Sequence, residues 1–187
     1  MSVGEEAQIM PIATASQTIG PYWHLLEDPS WADLTRFGGE RTYPRNERII
    51  LSGVLIDGDG KPCPDACIEI WQSDPTVCDT FPAFGRCGTD RGGEFRFITL
   101  KPAPVAGRGN TQQAPHIAVT VLSRGLMRGL VTRAYFHGET LNETDPLLAS
   151  IEDPARRATL IARPDGPARW RMDIRLQGAN ETVFLDV

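Results

Sequence analysis

From Arg48 onward the chain is written in short β-branched or alternating stretches, each cut off by Asp, Gly or Pro. Side chains alternate faces along a strand, so such stretches suit strands that bury one face. Ile49 to Ile56 is apolar and stops at Asp57-Gly58-Asp59-Gly60, a strong turn signal. The chain then passes Pro62 and Pro64 to Cys67–Gln72, which is expected to return as the antiparallel partner of the first strand. Asp90-Arg91-Gly92-Gly93 marks the next turn, and Glu94-Phe95-Arg96-Phe97 alternates as a half-buried strand should. Lys101 to Pro115, rich in Pro and Gly, cannot be a central strand and is read as a long loop. Strands are expected at His116–Leu122 and Leu130–Phe136. Asp145-Pro146 and Asp153-Pro154 each pair an N-cap with a proline at the first helical position, predicting two short helices, the second over Ala155 to Ala162. Arg169 to Leu176 alternates most cleanly of all, and Thr182 to Leu185 predicts a last short strand.

Many short strands with few helices predict a mainly β fold, a β-sandwich core with an irregular N-terminal arm and short helices. Residues 1–47 have no sustained period but carry Pro21, Tyr22, Trp23, Trp31 and Phe37. That is too aromatic for a plain flexible tail, so the segment is read as an arm that docks on a partner chain, and 48–187 as the sandwich domain. A net charge of −5 and a pI near 5.2 argue against a nucleic-acid partner. Met1 to Gln17 holds no secretory apolar run, and no stretch reaches the roughly 18 apolar residues of a membrane span. The expectation is a cytoplasmic protein, free of the membrane, with Cys63, Cys67, Cys78 and Cys87 reduced.

Chemistry-bearing residues are few. The histidines are His24, His116 and His137, and the tyrosines Tyr22, Tyr43 and Tyr135. His116 opens a strand after the Pro-rich loop, a fit place for a ligand, but the residue sharing its face two positions on is Ala118. Arg133 sits inside an apolar strand, and a buried guanidinium needs an acid, carbonyls or an anionic ligand. An ion pair and carboxylate recognition both satisfy it. Gly20-Pro21-Tyr22 reads either as a simple turn or as a point of close backbone approach.

The run Thr14 to Tyr22 resembles the entry motif of the intradiol ring-cleaving dioxygenases. Leu51–Asp57, Ala66–Gln72, Leu100-Lys101-Pro102, Ala114–Ile117 and Thr132–Phe136 match later landmarks of that family in order. Asp173–Gly178 with Glu181–Phe184 is similar to the subunit that lacks iron in its heteromeric members. The resemblance implies a β-sandwich and a non-haem Fe(III) held by two tyrosines and two histidines in the catalytic chains. At the matching positions stand Val105, a residue near Asp79, His116 and Ala118, and Gln113 replaces an expected arginine. It therefore implies no metal ligand set and no catalytic residue in this chain, the iron being bound by a partner beta chain. It further implies that Thr18, Gly20, Pro21 and Arg133 are substrate-binding residues lining that chain's pocket. The implied reaction is cleavage of protocatechuate with O2 to 3-carboxy-cis,cis-muconate, as in the beta-ketoadipate route of aromatic catabolism. A self-sufficient dioxygenase with substituted ligands such as Asp79, and a non-enzymatic β-sandwich binding module, are the alternatives.

Overall fold

The structure, a computed structural model, describes residues 15, 18–38 and 47–186. Two half-sheets are joined edge to edge into one rolled, near-barrel sheet around a common core. In the first half, β1 (Arg48–Ile56) lies between β4 (Glu94–Leu100), antiparallel, and the short strands β10 (Arg169–Arg171) and β11 (Ile174–Arg175), both parallel to it. In the second, β3 (Phe84–Gly88), β2 (Cys67–Trp71), β7 (His116–Leu122) and β8 (Leu130–Phe136) run antiparallel in that order. Strand β9 (Ile161–Pro164) joins them, parallel to β8 and antiparallel to β10.

The period-two pattern directs the packing. Ile49, Leu51 and Leu55 of β1, Phe95 and Phe97 of β4, Ile68 and Ile70 of β2, and Ile117, Val119 and Val121 of β7 all face inward. Each large aliphatic side chain so buried contributes about 2 kcal/mol. The predicted strands at 49–56, 116–122 and 130–136 are therefore found, because burying one face rewards that alternation.

Several sequence expectations need correction. Cys67–Gln72 does not return against β1, since both edges of β1 are taken by residues more than 35 positions away. After one bridge, Ile56 to Pro62, the chain crosses to the other half-sheet. The run 169–176 is two strands. At the break the Met172 amide donates to the Ser52 carbonyl at 2.9 Å, and the Asp173 carboxylate accepts from the Val54 amide at 3.0 Å. Inward alternation survives the break, with Met172 and Ile174 both buried, so a hydropathy pattern cannot see it. The loop 101–115 carries a two-rung hairpin, β5 (Val105–Ala106) with β6 (Gln112–Gln113). Helix α1 (Pro146–Ser150) starts as expected, with the Asp145 carboxylate accepting from the Leu147 and Leu148 amides. Helix α2 (Pro154–Ala158) is capped by Asp153 but stops short, and the residues beyond it form β9. Thr182–Leu185 makes a single bridge, Leu185 to Val131, rather than a strand.

Within the described part of the arm, 3₁₀ turns span Trp23–Leu25 and Pro29–Ala32. Leu34 is fully buried in the domain's own core, and its amide donates to the Ile98 carbonyl at 2.9 Å. The Arg86 guanidinium pairs with Glu69 and lies 5.4 Å and 5.6 Å from the Trp23 and Trp31 ring centres. The rest of segment 1–47, apart from Ala15 and Thr18–Gly38, has only Glu47 among the described residues. Among the described residues, no helix is long and apolar enough to cross a membrane, and all four cysteines are free thiols.

Candidate functional site

The outer face of the β7–β8 ladder gathers the polar groups that the inner face excludes. In register, His116 stands opposite Tyr135 and Ala118 opposite Arg133. The rung through Ala118 continues across β2 and β3 as Trp71 and Phe84, which are 52% and 41% exposed. An exposed aromatic pair thus leads along one row to a half-buried guanidinium. Tyr135 also packs in a smaller apolar cluster with Ala114, Leu148 and Leu160.

Arg133 finds neutral partners. One nitrogen, Nη1, donates to Gln113 Oε1 at 2.7 Å and to the Tyr135 hydroxyl at 3.2 Å. Among the described residues no carboxylate lies within ion-pair distance of it. The Tyr135 hydroxyl in turn donates to Asp145 Oδ1 at 3.1 Å. Asp145 is fully buried and also accepts from the amides of Ala114, Leu147 and Leu148. Burial raises the Tyr135 pKa well above that of a free phenol, and the hydrogen bond from Arg133 only partly offsets this, so the hydroxyl stays protonated at ordinary pH. His116 Nδ1 lies 2.8 Å from the Ala114 carbonyl, which can only accept, so the proton sits on Nδ1. Burial pushes the His116 pKa below the usual imidazole value, with the nearby Arg133 charge a further cause, and favours the neutral ring.

These residues do not suit a ferric ion, a hard cation served by anionic oxygen together with imidazole. His116 offers one lone pair, on Nε2. Ala118 offers none, Tyr135 is a protonated phenol tied at both ends, and Val105 pairs with Gln113 in the β5–β6 hairpin. Asp79 is exposed, and among the described residues no three His, Cys, Asp or Glu side chains converge.

Among the described residues no hydrogen bond links the arm's Thr18, Gly20 and Pro21 to Arg133. Thr18 and Pro21 are exposed, and Gly20 takes a left-handed φ of 75° in the bend before Tyr22. The arm is bonded to β3 and β4, through Glu27 to the Gly88 amide and Leu34 to Ile98, while Arg133 is bonded to Gln113 and Tyr135. Tyr135 and Asp145 were not legible as site residues from sequence alone. The available signal was period two, which puts Tyr135 on the Arg133 face.

The "Dioxygenase" family model matches residues 19–178, nearly the whole of this strand-built fold. The chain belongs to the intradiol ring-cleaving dioxygenase family. Within it, the chain is 36% identical to the protocatechuate 3,4-dioxygenase alpha chain of Pseudomonas putida, over 92% of this chain and 96% of that one. It is 38% identical to the alpha chain from Burkholderia cepacia, over 93% and 97%. The beta chain of the Burkholderia cepacia enzyme is 30% identical over 94% of this chain and 80% of its own. Among solved structures, the dioxygenase domain of a dioxygenase carbohydrate-binding fusion from Streptomyces sp. SirexAA-E superposes with a TM-score of 0.57 at 27% identity, covering 89% of this chain and 99% of that domain.

Proposed function

We propose that this chain is the non-iron-binding subunit of a heteromeric dioxygenase that cleaves protocatechuate with O2 to 3-carboxy-cis,cis-muconate. In this reading a partner beta chain binds the iron, and Arg133 with Thr18, Gly20 and Pro21 of the arm lines the substrate pocket of that chain. Both oxygen atoms enter the product, and the bond between the two hydroxyl-bearing carbons breaks. Four free thiols support a reducing, cytoplasmic setting.

The observation that carries the proposal is Arg133. A half-buried cation whose only partners among the described residues are an amide and a phenol keeps its positive charge for an outside anion. The substrate carries a carboxylate, which a guanidinium fork recognises without touching the metal. Similarity to two alpha chains, each over more than nine-tenths of the sequence, supports the assignment to a heteromer. The exposed aromatic row of Trp71 and Phe84 supports a face made for a partner or a ring-shaped ligand.

The test is Arg133→Ala in a complex reconstituted with a beta chain. The KM for protocatechuate should rise about tenfold, the value for one lost charged hydrogen bond, with iron content unchanged. An unchanged KM would reject the role. The chain purified alone should be colourless and inactive, and a ferric-tyrosinate absorption band from it would overturn the assignment.

A further inference from the structure

We infer that Tyr135, Gln113 and Asp145 are positioning residues that hold the Arg133 guanidinium in one orientation, leaving one edge of it free for a carboxylate on an aromatic ring. The inference rests on the reading that Arg133 faces substrate. It concerns which atoms of Arg133 are available and what sets them.

The chain of bonds has only one sense. The Asp145 carboxyl has no exposed surface, accepts from three backbone amides, and accepts the Tyr135 O–H as well. With its proton committed, the Tyr135 oxygen can only accept from Arg133. The Gln113 amide is fixed as well. Its Nε2 donates to the Ala106 carbonyl at 3.1 Å across the β5–β6 hairpin, so its Oε1 is the end that faces Arg133. The two hydrogens of Nη1 are therefore spent on Tyr135 and Gln113. Nε and Nη2 keep three N–H groups with no acceptor among the described residues. Nε–H and the adjacent Nη2–H are the parallel pair that takes a carboxylate side-on.

The anchoring extends into rigid parts of the fold. Asp145 caps α1 through the Leu147 and Leu148 amides and holds the Ala114 amide, which leads into β7. A guanidinium fixed before binding loses less rotamer freedom when the substrate arrives. The hairpin within the Pro-rich loop thus has a specific task, since Gln113 on β6 reaches Arg133 from across the site.

The experiment compares two substrates in the complex reconstituted with a beta chain: protocatechuate, and catechol, the same ring without the carboxylate. Tyr135→Phe and Gln113→Leu are made separately, because Gln113 lies half-exposed at a hairpin and its variant folds even if the buried one does not. Each should raise the KM for protocatechuate about fivefold, less than the loss of Arg133 itself, because the guanidinium loses one anchor but keeps its charge. The kcat for protocatechuate and the KM for catechol should stay where they are. Equal rises for both substrates, or none for protocatechuate, would overturn the positioning role. If Arg133→Ala itself leaves the protocatechuate KM untouched, the functional reading fails and not merely its refinement.

Discussion

Gly53 shows how narrow the tolerance is at a single residue. A Cβ built there would lie 1.9 Å from the Met172 carbonyl oxygen and 2.7 Å from the Phe95 ring. Backbone cannot move aside cheaply, so Gly53→Ala should cost about 3 kcal/mol, read as a loss of about 10 °C in Tm. An unchanged Tm would mean that the β1–β10 junction is loose. The thiols make a second residue-scale test. Hydrogen bonds from the Thr80 side chain and backbone lower the Cys78 pKa, and the residue is exposed. Burial pushes Cys67 and Cys87 up to about 12. At neutral pH a disulfide reagent should label Cys78 first and leave Cys67 and Cys87 silent until the chain unfolds. Rapid labelling of more than two thiols in the native chain would contradict that burial.

At the level of elements, local chemistry was legible and pairing was not. The caps at Asp145 and Asp153 were read from the sequence because the acceptor and its amides lie within three residues. Strand β3 escaped notice because Gly85, Arg86 and Gly88 blur its alternation. Its glycines answer to the arm instead, since a Cβ at Gly85 would meet the Leu34 side chain at 2.4 Å. That close fit gives the arm its own prediction. Leu34→Ala removes a fully buried side chain and should cost about 3 kcal/mol, loosening 23–38 from β3 and β4. Limited trypsin digestion should then cut after Arg36 at least tenfold faster than in the parent chain. Equal rates would show that Arg86, stacked near Trp23 and Trp31, holds the arm without Leu34.

For the molecule as a whole, burial of ionisable groups sets the pH range of stability. Cys67 and Cys87 hold their protons up to about pH 12 when folded, whereas an exposed thiol releases them near 9.0. Above that ordinary value the unfolded chain binds fewer protons than the folded one, so stability is intact below about pH 9 and is lost as pH rises toward 12. His116 acts at the other end. Its pKa is lowered on folding, so its contribution is complete above the imidazole value of 6.5 and fades as pH falls. A plot of Tm against pH should fall on both sides, and a flat alkaline limb would contradict the buried thiols. The sequence by itself determined the mainly β class, the inward faces of the long strands and the helix starts, because these depend on residues close together in the chain. It also marked Arg133 as a cation in an apolar strand and the family to which the chain belongs. Only the tertiary structure decided that β1 pairs with β4, β10 and β11, that β9 joins the two half-sheets, and that Gln113 and Tyr135 meet Arg133 while Asp145 holds Tyr135. Those choices join segments distant in sequence, where backbone hydrogen bonding has no residue-specific signature and the partner is chosen by what the rest of the core leaves open.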